Sequence, residues 1–141
     1  VVMEGTIRTF NDEVRKDIHD SIRKKAEMIA SASGATAKVE IFSDIAKVTF
    51  NEPSLTEKMV PSLERVYGKE NVKITPFITG AEDFPFFTDH APGLYFFNGV
   101  APDPSKAAPN HSPYFFADER NLKYGTKALT QLAVDYLYLY K

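Results

Sequence analysis

The chain has 141 residues, seventeen Lys plus Arg against nineteen Asp plus Glu, and a formal charge of −2. Hydrophobic residues make up 43% and charged residues 26%, a globular balance that argues against disorder and against a nucleic-acid surface, which needs clustered Lys and Arg. There is no Cys, so disulfides, thiolate nucleophiles and Cys-ligated zinc are excluded, and no apolar run approaches the roughly 20 residues of a membrane span.

Residues 1–9 alternate apolar and polar side chains and predict a strand, closed by Phe10 and the cap-like Asn11-Asp12. Val14, Ile18, Ile22, Ala26 and Ile29 then trace one stripe of a helix that runs to about Ser33 and stops at Gly34. On that reading the opposite flank, with Arg15, Lys16, His19, Arg23 and Lys24, is solvated. Strand character returns at 38–42 and 46–50, giving a β-α-β unit that buries only one face of its sheet and needs a partner layer.

Asn51-Glu52-Pro53 breaks the pattern and marks the expected domain boundary. Leu55, Met59, Leu63, Val66 and Tyr67 fall at helical spacing up to Gly68, with Pro61 expected to kink or split that helix. A strand is expected near 72–77, a turn at Gly80-Ala81-Glu82-Asp83-Phe84, and a short buried strand at Leu94-Tyr95-Phe96-Phe97. Residues 99–113 carry four prolines and read as loop. The last helix is expected to start at the N-cap Asp118 and to run to about Tyr140.

Side chains able to do chemistry are few. The three histidines, 19, 90 and 111, never form the one-turn pair that lets two imidazoles share a metal on a helix. No nucleophile elbow and no phosphate-cradling glycine loop occur. His111 closes the Pro-rich loop just before Ser112-Pro113-Tyr114-Phe115-Phe116, a setting that suits a held imidazole as well as an ordinary loop histidine. Glu82 and Asp83 offer adjacent carboxylates at a turn, either to support a ligand or, for Asp83, to cap a helix opening at Phe84-Pro85. Arg8 carries a planar fork that suits a carboxylate as well as solvent.

Taken in order, Gly5-Thr6-Ile7-Arg8-Thr9-Phe10, Gly80-Ala81-Glu82-Asp83-Phe84, Pro92-Gly93, His111-Ser112-Pro113 with Phe115, and Asp118-Glu119 with Leu122 and Gly125 form a series. That series resembles the C-terminal part of the zinc-dependent amidohydrolases that include hippurate hydrolase, N-acyl-amino-acid deacylases and related carboxypeptidases. The resemblance implies an α/β fold of α+β character. Residues 1–50 would be the β-α-β half of a ferredoxin-like lid and dimerisation domain, and residues 51–141 the C-terminal α/β segment of a catalytic domain. It implies two divalent metal ions, normally zinc, with His111 as one ligand. Arg8 would grip the substrate's free carboxylate, Gly80 would line the pocket, and Glu82 and Asp83 would support the site from behind. Small N-acyl amino acids or peptides would be the substrates and a homodimer through the lid the assembly. Apart from the resemblance, the lack of Cys and of a visible signal fits a cytoplasmic setting, and the charge balance and short apolar runs lead one to expect neither nucleic acid nor membrane as partner.

Relatives of this kind carry their other metal ligands and the general-base glutamate in an N-terminal portion absent here. A zinc ion typically takes three protein ligands and a water, so the chain alone is expected to be inactive and to bind metal weakly. The absent initiator Met and the opening within a strand fit an origin in something longer. Ser43-Asp44-Ile45-Ala46-Lys47 departs from the aromatic-proline stretch that the resemblance leads one to expect. The rival reading is a non-catalytic β-α-β module whose free sheet edge pairs with a second copy or a ligand.

Overall fold

A computed structural model describes residues 1–42, 47–139 and 141. Among the described residues the regular elements are the helices α1 (Asp12–Ala32), α2 (Pro53–Tyr67), α3 (Phe84–Thr88) and α4 (Leu122–Leu139). Single 3-10 turns lie at Lys69–Asn71, Pro104–Lys106 and Glu119–Asn121. The chain gathers into two compact units, one of Val1–Phe50 with Pro76–Ala91 and one of Asn51–Thr75 with Pro92–Lys141.

In the first unit, α1 begins where Asn11 Oδ1 accepts the Val14 N–H at 3.0 Å, with Asp12 and Glu13 at the positive end of the helix dipole. It ends in a Schellman arrangement. The Gly34 N–H donates to Ser31 O at 3.0 Å and the Ala35 N–H to Ala30 O at 2.8 Å. Gly34 takes the left-handed φ of 69° that this ending requires. The apolar stripe is nevertheless largely open: Val14, Ile22 and Ile29 are all exposed, Ile29 at 70%. His19, expected on the solvated flank, is the buried residue of α1. The side chains buried in this unit are His19 and Pro85, and Thr49 Oγ1 is buried with no hydrogen-bond partner among the described residues.

The second unit has an apolar core. Glu52 caps α2 through both carboxylate oxygens, accepting Ser54 N–H at 3.0 Å and Leu55 N–H at 2.5 Å, with Pro53 supplying a first turn that needs no N–H. The helix runs on through Pro61 to Tyr67, so the expected split does not occur; it forgoes one internal bond there. Leu63 and Val66 of α2 meet Ala128 of α4, and Tyr67, Val72, Leu94, Phe96 and Leu132 pack around them. Met59 is also buried. Each Leu, Val, Phe or Met among these side chains contributes about 1.5–3 kcal/mol when fully covered.

Polar contacts lock the same unit. Asn51 uses its amide as a clamp, donating to Tyr95 O at 2.8 Å and accepting the Tyr95 N–H at 2.7 Å. Tyr67 donates its hydroxyl to Asn98 Oδ1 at 2.7 Å, and burial pushes the Tyr67 phenol above its ordinary pKa. Asn98 explains a glycine inside α4: a Cβ on Gly125 would stand 3.3 Å from Asn98 Nδ2.

The described residues contain no strand, which overturns the expected α/β class, its β-α-β half of a ferredoxin-like lid and its C-terminal α/β segment. The segments at 1–9, 38–42, 47–50, 72–77 and 94–97 are irregular; residue 46, in one expected strand, and Tyr140, at the expected end of the last helix, lie outside the described residues. The same holds for 43–46 of the departing Ser43–Lys47 stretch. Period-two alternation selects for an extended, half-covered chain, but a strand exists only when a second backbone lies about 4.8 Å away with matching N–H and C=O groups. Here contact is made by side chains instead, as in the Asn51 clamp. With no sheet to lie against, the α1 stripe stays open.

Candidate functional site

The first unit brings two of the expected site residues together. Arg8 Nη1 donates to Thr79 O at 2.8 Å, which sets the guanidinium beside the residue preceding Gly80 although 71 positions separate donor and acceptor. The rings of Phe10 and Phe77, 5.6 Å between centroids and tilted by 48°, hold the same two segments side by side. Arg8 is exposed, and a guanidinium carries five N–H donors, of which this contact uses one. Gly80 faces open space: a Cβ there would meet only Ile78 Cγ2, at 4.0 Å.

Downstream of that pair, Glu82 is half-buried and Asp83 exposed. Asp83 stands at the N-cap position of α3, with Pro85 in the first turn, yet its side chain makes no capping bond. Its backbone is already helical, at φ −83° and ψ −14°, whereas a capping side chain needs an extended residue. The carboxylate of Asp83 is thus not occupied in holding α3. At the far end of α3, Lys47 pairs with Asp89 and lies 5.4 Å above the ring of Phe86. Nothing in the sequence pointed to that cluster, because 42 residues separate the charges.

His111 belongs to the second unit. It is exposed and has φ of 74°, the one positive-φ residue other than glycine among the described residues. The Ser112 N–H donates to Pro109 O at 3.0 Å, so His111 occupies the third place of a turn that ordinarily asks for Gly or Asn there. Beyond it, Ser112 O accepts the Phe115 N–H at 3.0 Å and Ser112 Oγ accepts the Tyr114 N–H at 3.1 Å. The segment is then anchored by Asp118, whose N–H donates to Val100 O at 2.8 Å. The Asp118 carboxylate accepts the Arg120 N–H and Nε at 3.0 Å and Nη2 at 2.6 Å. Those side-chain bonds, then the backbone one, hold the Asp118 carboxyl below its ordinary pKa. Asp118 therefore opens the last helical region as expected, through a 3-10 turn that precedes α4.

Within the first unit, Arg8 and Gly80 are joined through Thr79, while Glu82 and Asp83 share no hydrogen bond with them among the described residues. Nor do three His, Asp or Glu side chains stand together there in a way that could hold a metal ion. The described residues therefore do not compose a metal site by themselves. No helix among them is long and apolar enough to cross a membrane.

Residues 1–135 match the family described as Peptidase family M20/M25/M40, and the chain belongs to it. Thermostable carboxypeptidase 2 of Saccharolobus solfataricus is 36% identical over 135 residues, 95% of this chain and 34% of the relative. N-acetylcysteine deacetylase of Bacillus subtilis is 29% identical over 132 residues, 94% of this chain and 33% of the relative. N-acetyldiaminopimelate deacetylase of Streptococcus suis is 26% identical over 128 residues, 91% of this chain and 33% of the relative. The chain thus spans about a third of the length of the curated relatives it matches. No solved structure matches it.

Proposed function

We propose that the chain is the substrate-gripping part of a metal-dependent hydrolase that cleaves the amide bond of N-acyl amino acids or short peptides. The observation that carries this reading is the Arg8–Thr79 bond, which seats an exposed guanidinium next to the open Gly80. A planar, permanently charged fork binds a carboxylate through two parallel N–H bonds, and a residue without Cβ leaves room for the rest of the ligand. The relatives' names agree with such a ligand: a carboxypeptidase and a deacetylase of N-acetylcysteine both act beside a free carboxylate.

In this reading Arg8 fixes the substrate's carboxylate, and with it the distance from that end to the scissile amide. Glu82 and Asp83 steady the turn after Gly80. His111 is one ligand of a pair of divalent ions, zinc by preference, whose other ligands come from polypeptide outside these 141 residues. Residues 1–50 belong to a lid that pairs two copies, 51–141 to the catalytic domain, and the intact enzyme works in the cytoplasm. The 141-residue chain alone does not turn substrate over.

In the intact protein, Arg8→Ala should raise KM about tenfold or more for an N-acyl amino acid and leave its carboxamide analogue almost unaffected. Equal losses on both substrates would remove the proposed contact. His111→Ala should lower metal content, measured on the purified protein, together with activity. Full metal occupancy and unchanged hydrolysis would exclude His111, and an intact protein without amide hydrolysis would leave a binding module in its place.

A further inference from the structure

Arg8 and Phe10 stand two residues apart on one segment of the first unit, and Phe77 and Thr79 two residues apart on another. Arg8 bonds to Thr79 O, and the Phe10 ring meets the Phe77 ring. The segments therefore pass each other in opposite directions, and the two contacts are successive rungs between them. Two residues of chain span at most about 7 Å, which bounds the spacing of the rungs along either segment.

The rungs differ in chemistry. One ends in an exposed cation with donors to spare, the other in two exposed rings. A pair of rings that only fastened the segments would be largely covered, yet Phe77 is 93% exposed and Phe10 50%. Their tilted contact leaves most of both rings open to a third apolar group. A guanidinium beside open rings suits a ligand that carries a carboxylate and, close to it, an apolar group.

The amide chemistry proposed above decides which apolar group that is. The acyl part of the substrate ends in the scissile carbonyl and has to reach the hydrolytic centre. The amino-acid side chain branches from the same carbon as the carboxylate and stays near Arg8 whatever the acyl group does. A ring there meets both phenyl groups edge to face, which an aliphatic chain does not. We propose that Phe10 and Phe77 select the substrate by this side chain, so that an aromatic residue bears the free carboxylate. The inference rests on the reading of Arg8 as the carboxylate grip, and it adds the identity of the residue that is gripped.

The test is an NMR titration of the 141-residue chain with N-acetyl-L-phenylalanine, N-acetylglycine and N-acetyl-L-phenylalaninamide, followed on the Phe10 and Phe77 ring signals. The aromatic acid should bind about tenfold more tightly than the glycine acid and than its own amide. Phe77→Ala should shrink the preference between the two acids to under about threefold. Phe10→Leu, which keeps an apolar group between the segments, should shrink it too. Arg8→Ala should weaken both acids alike. Two acids that bind equally, or a preference that survives Phe77→Ala and Phe10→Leu, overturns the inference; if Arg8→Ala still weakens both acids, the carboxylate grip stands without it. An aromatic acid that binds no better than its amide removes the grip, and the inference with it. A preference that follows Arg8 and both rings, in a protein that hydrolyses no amide, keeps the binding site and removes the hydrolase reading.

Discussion

Leu63 of α2 is 6% exposed, while Ile29 of α1, an equally apolar residue at an equally regular helical position, is 70% exposed. The contrast extends to the units they belong to. The second unit closes Leu63, Val66 and Ala128 among five further apolar residues and stitches its loops with the Asn51 clamp and the Tyr67–Asn98 bond. Among its described residues the first has His19 and Pro85 as buried side chains, and its longest helix owes its form to good caps and local charge. Good caps make a helix begin and end in the right place. They do not supply the tertiary burial from which most helical stability comes.

The sharpest way to break that comparison is to truncate one apolar side chain in each unit. Leu63→Ala should cost about 2–5 kcal/mol in denaturant unfolding, and Ile29→Ala under about 0.5 kcal/mol. Similar losses at both sites would mean that α1 has a core after all. Next in size, Asn51→Ala removes both bonds to Tyr95 and should cost about 2 kcal/mol, read from the same unfolding curve.

Acid should separate the units too. Asp118 and Asp135 both have carboxyl pKa values below the ordinary one, Asp118 through Arg120, and Asp135 through Ser62 first, then Gln131 and Arg65, against the opposing effect of burial. A depressed folded pKa means stability that is present above the unfolded carboxyl pKa of about 3.9 and lost as pH falls through the folded value. The second unit should therefore weaken below about pH 4, and Asp118→Asn should flatten that limb of the profile. A pH profile identical to that of the unchanged chain would contradict the role given to the Arg120 bonds. One change should be a gain: His111→Gly relieves a left-handed backbone and should stabilise the chain by about 1 kcal/mol, measured as a rise in Tm. A loss of stability would show that the imidazole makes contacts that outweigh its strain.

The helices were legible because their signals are local. Asn11, Gly34, Gly68 and Asp118 stand within a residue or two of the ends they help define, and 3.6-residue periodicity lies within each segment. The expected strands failed because a ladder depends on a partner elsewhere in the chain, which alternation does not reveal. His19 was misjudged because its exposure was inferred from its place on the polar flank of the helical stripe, one residue beyond Ile18, whereas it is the buried residue of α1. Asn51 read as a chain breaker, and only its approach to Tyr95 makes it a clamp. In the candidate site, Arg8 and Gly80 were singled out as residues through a family resemblance, but their adjacency through Thr79 is a three-dimensional fact. The left-handed turn at His111 had a faint signal in Pro109-Asn110, a pair that favours turns.

Amide hydrogen exchange on the 141-residue chain near neutral pH tests the contrast between the units most directly. Amides in the middle of α2 and α4 should exchange only at the rate of global opening, and those in the middle of α1 much faster, close to the rates of a fraying helix. Equal protection in α1 and α2 would contradict the account, because it would require a core in the first unit equal to the one around Leu63.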